Sequence, residues 1–120
     1  MAKLKIATCS LAGCFGCHMS LLDLDERLLT LLEVVEFDRS PINDLKHISQ
    51  LVDVGLIEGG VCNADNVHVL REFRERCRVL VAVGECANTG GIPSMRNSFS
   101  LKACLEEGFI RGLGTENAKI

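Results

Sequence analysis

The chain has 120 residues, of which 48% are hydrophobic, and this is enough to fold one domain around an apolar core. Its formal net charge of -3, without a basic block and without Tyr or Trp, gives no support to nucleic acid as a partner. No apolar run approaches the length of a membrane span, and the apolar part of the N-terminal stretch is too short for a secretory signal.

Seven cysteines are a high number for this length, and an odd number cannot all pair within one chain. Together with the lack of a secretory signal, this count favours a reducing compartment, so we expect a cytoplasmic protein. The cysteines are therefore interpreted as metal ligands, redox thiols or core residues.

The first half of the chain predicts two strands joined by a helix. Residues 4–8 form an apolar run typical of a short strand, and residues 34–37 form a second one. Residues 18–32 predict the helix between them, and residues 38–46 predict a loop with turn residues. The helix carries leucines three and four residues apart, which we expect to pack in the core: Leu21, Leu24, Leu28, Leu31 and Leu32.

The second half continues the alternation. Residues 51–57 predict a buried strand that begins near Val54, and Asn63 is placed to cap a helix running to about Arg76. Residues 79–83 are typical of a buried parallel strand.

The remaining segments are shorter. Residues 84–93 predict a glycine-rich loop, and Ser98 or Ser100 is expected to cap a last helix over residues 101–107, stopped by Gly108. The polar residues from 112 onward predict no element.

Strands that alternate with helices imply right-handed crossovers and a parallel sheet with helices on both faces. The loops at the carboxyl ends of such strands share one edge, where ligands bind. That edge would gather residues 9–17, 58–63 and 84–93, and so bring Cys14 and Cys17 close to Cys86.

Cys14 and Cys17 are separated by two residues at a strand-to-helix turn. Amides at a helix start favour negative charge, so we expect thiolates to be stabilised there. Two such thiolates could bind one metal or cluster, or each other. Glycines around Cys86 would let the backbone approach a bulky ligand, whereas no lysine follows them in a phosphate-binding pattern.

The three loops read Leu-Ala-Gly-Cys-Phe-Gly-Cys-His at residues 11–18, Ile-Glu-Gly-Gly at 57–60 and Gly-Glu-Cys-Ala-Asn-Thr-Gly-Gly-Ile-Pro at 84–93. Together they resemble the small subunit of nickel–iron hydrogenases, most closely the short small subunit of the cytoplasmic, NAD-reducing type. In the related subunit of respiratory complex I the paired cysteines are adjacent. The resemblance covers most of residues 3–110 and implies a flavodoxin-like α/β domain over residues 1–111, followed by a polar tail or connection.

The resemblance implies that Cys14, Cys17 and Cys86 are three ligands of a [4Fe-4S] cluster at the loop edge. In the family this cluster lies next to the nickel–iron centre of a separate large subunit. The chain would then be the electron-transfer subunit of a hydrogen:NAD oxidoreductase, with no catalytic residue of its own. Its partners would be that large subunit and the subunits that carry FMN, further iron–sulfur clusters and the NAD site.

The chain departs from the family pattern at two places. Gly13 stands where many relatives have Glu, and a Gly-Cys-Pro-Pro segment that usually supplies a fourth cysteine does not occur before Ile120. The resemblance favours a downstream cysteine as the fourth ligand, while Glu58, Cys62 or water remain alternatives.

The residues around these motifs have plainer interpretations too. Glu58 could carry protons or approach the cluster, or simply accept N–H bonds within its own loop. His18 is interpreted as a residue of the first helical turn rather than as a ligand. Cys9, Cys77 and Cys104 are expected to be core residues.

Two other classes of protein use closely spaced cysteines. A thioredoxin-like dithiol protein would use Cys14 and Cys17, would need a cis-proline at Pro41 or Pro93, and would leave the Cys86 loop without a role. A zinc module would need a second close Cys-x-x-Cys or a pair of histidines, and the sequence has neither.

Overall fold

The computed structural model describes residues 2–116. Its regular elements are, in chain order, β1 (Leu4–Ser10), α1 (Gly16–Leu22), α2 (Glu26–Val34), β2 (Val35–Phe37), β3 (Val52–Glu58), α3 (Ala64–Arg76), β4 (Cys77–Val83), α4 (Glu85–Thr89), a 3-10 helix (Ile92–Ser98), α5 (Leu101–Leu105) and a π-helical segment (Glu106–Ile110).

The four strands form one parallel sheet in the order β2-β1-β3-β4. The crossovers from β1 to β2 and from β3 to β4 run in opposite directions from the centre, so right-handed connections place their helices on opposite faces. This is the flavodoxin-like arrangement, and the predicted α/β fold is confirmed. The chain reverses direction of winding between β1 and β3, where Ser10 pairs with Glu58.

The core lies between the two central strands and α3. Phe73 is fully buried and is packed with residues from β1, β3 and the start of β4. The cap predicted for α3 is confirmed, because the side chain of Asn63 accepts a hydrogen bond from the amide of Asn66 at 2.8 Å. The buried apolar cluster comprises Ala7, Cys9, Ile48, Val52, Ile57, Phe73 and Cys77.

The single helix predicted over residues 18–32 is wrong, because the chain forms two helices separated by a turn at residues 23–25. Asp25 has a φ of +49°, a value that no residue inside an α-helix adopts. The break also changes the leucine stripe. Leu21, Leu28 and Leu31 are half-buried, whereas Leu24 and Leu32 are exposed and no residue of α2 is buried, so the predicted core packing is incomplete.

The strand predicted at residues 79–83 is parallel, but its predicted burial is wrong. Within residues 2–116, β4 pairs only with β3 and is an edge strand. Val79 and Val81 are 55% and 38% exposed because the described residues place no element over that face. Buried-strand composition therefore does not reflect burial here.

The glycine-rich loop and the last helix also differ from the predictions. Cys86 lies in the short helix α4 and not in an irregular loop. Ser100 caps α5, because its side chain accepts a hydrogen bond from the amide of Ala103 at 3.1 Å. The predicted stop at Gly108 is wrong, since the chain continues past it as a π-helix to Ile110. Glycine alone does not end a helix when its φ stays helical.

Within residues 2–116 no helix is both long and apolar enough to cross a bilayer. The predicted tail from residue 112 lies only in part within the described residues, and the domain boundary at residue 111 stays a prediction.

Candidate functional site

The loops that follow β1 and β3 are joined directly at the carboxyl edge of the sheet. Ala12 and Gly60 exchange two backbone hydrogen bonds, with N···O distances of 2.9 and 2.7 Å. The amide of Leu11 donates to the carbonyl of Glu58 at 2.8 Å. The pairing of β1 with β3 therefore continues into their loops, and the two loops form one connected surface at the edge of the sheet.

The loop after β4 meets this surface through cysteine–glycine contacts. A Cβ at Gly84 would lie 2.3 Å from Sγ of Cys17, and one at Gly13 would lie 3.9 Å from Sγ of Cys86. Gly84 also has a φ of +84°, which side chains rarely adopt. The expected convergence of the three loops is thus confirmed, and only glycine leaves room for the Cys17 thiol beside β4.

The Cys14–Cys17 turn has an unusual backbone. Phe15 has a φ of +68° and precedes α1 without a side chain that caps the helix. This conformation lets the amide of Gly16 donate to Sγ of Cys14 at 3.3 Å. Amide–sulfur hydrogen bonds of this kind stabilise a ligating thiolate and tune the potential of a cluster.

Glu58 connects the β3 loop to this turn from a buried position. The residue is 4% exposed, and Oε2 accepts a hydrogen bond from the amide of Cys17 at 3.2 Å. Its other oxygen, Oε1, pairs with Nδ1 of His18. The interpretation that Glu58 accepts N–H bonds within its own loop is wrong, because its partners belong to α1.

His18 begins a buried chain of polar side chains. Its Nε2 is hydrogen-bonded to Oγ1 of Thr8 at 2.9 Å, and Thr8 is hydrogen-bonded to Oγ of Ser40 at 2.6 Å. Sequence reasoning placed His18 correctly in the first helical turn but missed its partners Thr8 and Ser40. The sequence did contain one indication of this contact, because Thr8 is a polar residue within a mostly apolar predicted strand.

The expected stabilisation of thiolate at Cys17 is wrong. Burial raises the pKa of Cys17, and the negative charge and hydrogen bonding of Glu58 raise it further. The Glu58 carboxylate already lies at the positive N-terminal end of α1 and accepts a hydrogen bond from one of its amides. The helix end therefore stabilises this carboxylate, and its effect on the Cys17 thiol is weakened. A metal centre would overcome this effect by displacing the thiol proton on binding.

Of the other four cysteines, two are part of the core, as predicted. Burial raises the pKa of Cys9 to about 12 and also raises the pKa of Cys77, so both are inert thiols at neutral pH. The predicted core position of Cys104 is wrong, because this residue of α5 is only half-buried and lies outside the buried apolar cluster. Cys62 is exposed, and its thiol lies 3.1 Å from Oδ1 of Asn66.

A groove of about 620 Å³ opens next to the site. Cys62 and Cys86 both line it, together with apolar residues of the β1 and β3 loops and with mostly polar residues of the 3-10 helix. The groove therefore runs along the same edge as the three converging loops.

The donor set fits an iron–sulfur cluster better than one metal ion. Cys14, Cys17 and Cys86 are free thiols. One zinc ion needs its thiolates within about 4 Å of one another, and in the described part of the chain no three Cys, His, Asp or Glu side chains are grouped to hold one ion. In a cubane each cysteine binds a different iron, which spreads the ligands.

The thioredoxin-like alternative is less consistent with the site. Pro41 and Pro93 are both in trans peptide bonds, since no peptide bond in residues 2–116 is cis.

Known proteins resemble the chain over nearly all of its length. It is 50% identical over 108 residues to the delta subunit of the NAD-reducing hydrogenase HoxS of Cupriavidus necator, covering 90% of this chain and 52% of that one. It is 41% identical to a subunit of the F420-non-reducing hydrogenase of Methanothermobacter marburgensis, covering 96% of this chain and 38% of the relative. The chain thus spans about half the length, or less, of these curated relatives.

A solved structure agrees with these sequence similarities. A chain from the crystal structure of an NAD+-reducing [NiFe]-hydrogenase in the H2-reduced state superposes with a TM-score of 0.93 at 51% identity, covering 99% of this chain and 67% of that one. The resemblance to hydrogenase small subunits is confirmed. The family model described as NADH ubiquinone oxidoreductase, 20 Kd subunit, matches residues 14–116, and the chain belongs to this family.

Proposed function

We propose that this chain is the electron-transfer small subunit of an NAD-reducing nickel–iron hydrogenase, carrying a [4Fe-4S] cluster on Cys14, Cys17 and Cys86. The observation that supports this most directly is the convergence of the three free thiols at one sheet edge, in a chain 50% identical to a hydrogenase subunit. The cluster supplies one-electron transfer when bound. The chain's own task is to hold and tune it.

Each part of the site has a defined task in this proposal. The three thiolates bind iron, and the Gly16 amide donates to the Cys14 sulfur. Gly84 admits the sulfur of Cys17 at a distance that a side chain would block, and Gly13 lies in contact range of the sulfur of Cys86. Glu58 holds the Cys17 amide and so fixes where α1 begins.

The partners in this proposal are those of the hydrogenase complex. A nickel–iron large subunit would cover the loop edge and bring its centre next to the cluster. Subunits with FMN and further iron–sulfur clusters would connect the cluster to NAD. Seven unpaired cysteines support a cytoplasmic location.

The fourth ligand is a separate question. Cys62 is hydrogen-bonded to Asn66. Glu58 is hydrogen-bonded to the Cys17 amide and paired with His18. Both candidates for the fourth ligand within the chain thus already have partners. We therefore propose that neither Cys62 nor Glu58 is the fourth ligand.

The test is an anaerobic purification of the complex after co-expression with its partner subunits. We expect iron, acid-labile sulfide and a reduced-cluster signal by electron paramagnetic resonance that is assigned to this subunit. Serine at Cys14, Cys17 or Cys86 should remove that signal, because each thiolate would be a primary ligand. Cys104→Ser is the matched control and should keep it. An unchanged signal in all three ligand variants would refute the assignment.

A further inference from the structure

The first turn of α1 takes its cap from another strand. A helix needs acceptors for its first amides, and here Sγ of Cys14 accepts the amide of Gly16 while the N-cap residue Phe15 supplies no side-chain acceptor. Glu58, at the end of β3, accepts the amide of Cys17 instead. The position of the Cys14–Cys17 turn therefore depends on how the Glu58 carboxylate is oriented.

His18 determines that orientation. His18 is 5% exposed, and its Nδ1 pairs with Oε1 of Glu58. Its Nε2 is hydrogen-bonded to Thr8, and Thr8 is hydrogen-bonded in turn to Ser40. Its ring is stacked on Phe15 with centroids 4.8 Å apart and planes 2° from parallel. The imidazole is thus held by two hydrogen bonds and one aromatic face, and it cannot rotate without breaking them.

The polar chain is complete within the described residues. No buried side-chain nitrogen or oxygen in residues 2–116 lacks a hydrogen-bond partner. A fully satisfied buried network specifies one arrangement of its members, because any other leaves a polar group unpaired. The network therefore restrains α1, β1 and the loop after β2 as one unit.

We propose that His18 is a positioning residue of the cluster site, which holds the Glu58 carboxylate against the Cys17 amide so that the Cys14–Cys17 turn has its cluster-binding shape before the cluster is inserted. This inference rests on the proposed function, since the shape of the turn matters to a cluster only if the turn binds one. A turn that is already ordered loses less conformational entropy on binding, which favours both insertion and retention.

The test compares His18→Leu with His18→Asn. Leucine removes both hydrogen bonds, whereas the amide nitrogen of asparagine lies near the place of Nδ1 and can still donate to Glu58. In the complex freed of its clusters, we expect amide hydrogen exchange in residues 14–20 to be about tenfold faster in His18→Leu. Reconstitution with ferrous iron and sulfide should be several-fold slower, and the reduced-cluster resonance spectrum should shift. His18→Asn should recover most of each value.

His68→Leu is the matched control, because His68 is exposed on α3 and should leave all three measurements unchanged. A second variant avoids the risk that His18→Leu fails to fold. Thr8→Val combined with Ser40→Ala keeps the pairing of His18 with Glu58 but leaves Nε2 of His18 without its partner, so it disturbs the network less than the loss of both hydrogen bonds does. It should raise exchange in residues 14–20 by an intermediate factor.

The outcomes separate the two levels of the proposal. Equal exchange and equal reconstitution in wild type, His18→Leu and the Thr8→Val/Ser40→Ala variant would overturn the positioning role and leave the cluster assignment intact. His18→Asn behaving no better than His18→Leu would overturn the orientation of Glu58 as the cause. A wild-type complex that takes up no iron in this subunit would overturn the proposed function instead.

Discussion

The amide of Cys17 donates a hydrogen bond to the carboxylate of Glu58 at 3.2 Å, across a sequence separation of 41 residues. This contact joins the first turn of α1 to the end of β3, so the Cys-x-x-Cys turn is tied to the sheet as well as to its own helix. It also puts a buried negative charge next to a thiol, which contributes to the raised pKa of Cys17.

Replacing Gly84 by alanine should disrupt the site. The new Cβ would lie 2.3 Å from Sγ of Cys17, and the φ of +84° would strain any side chain. We expect Gly84→Ala to lower the iron content of the purified complex strongly and to destabilise the fold by roughly 1–3 kcal/mol. Gly108→Ala is the control, because no atom lies within 4 Å of its Cβ position, and it should retain full iron content.

The stability of the chain should fall at alkaline pH through Cys9. Burial raises its pKa from 9.0 to about 12, so the folded state favours the neutral thiol. This contribution is fully present below about pH 9 and is lost as the pH rises toward about 12. Urea unfolding midpoints measured across this range should decrease less in Cys9→Ala than in wild type. Parallel curves for the two proteins would contradict this origin of the alkaline loss.

Removing the cap of α3 should cost about 1 kcal/mol, the usual value for an N-cap asparagine. Asn63 accepts the amide of Asn66 at 2.8 Å, and Asn63→Ala leaves that donor to water. Chemical denaturation would measure the change. The exposed Asn97 offers a control, and Asn97→Ala should lie within about 0.5 kcal/mol of wild type. Equal stability of Asn63→Ala and Asn97→Ala would show that the cap contributes nothing.

Cys62 should not be a cluster ligand. Its thiol is exposed and lies 3.1 Å from Oδ1 of Asn66, an arrangement that belongs to the start of α3. Cys62→Ala should therefore leave the iron-to-protein ratio and the reduced-cluster spectrum of the complex unchanged. Conversion to a three-iron spectrum in this variant alone would identify Cys62 as the fourth ligand.

Several features were predictable because they depend on local sequence. Apolar runs marked all four strands, and Asn63 marked the start of α3, since strand propensity and N-capping act over a few neighbouring residues. The alternation of strands and helices then implied one shared loop edge, because parallel strands all end on the same side. Cys14, Cys17 and Cys86 could thus be brought together without coordinates.

Other features depend on contacts between distant segments, and only the tertiary structure decided them. The turn at residues 23–25 divides a leucine-rich stretch that periodicity predicts as one helix, and the edge position of β4 exposes side chains that composition predicts as buried. The chain from Glu58 through His18 and Thr8 to Ser40 joins four separate segments. Sequence determines which of these residues are polar, but their hydrogen bonds, and the raised pKa of Cys17, depend on burial and distances that exist only after the sheet has formed.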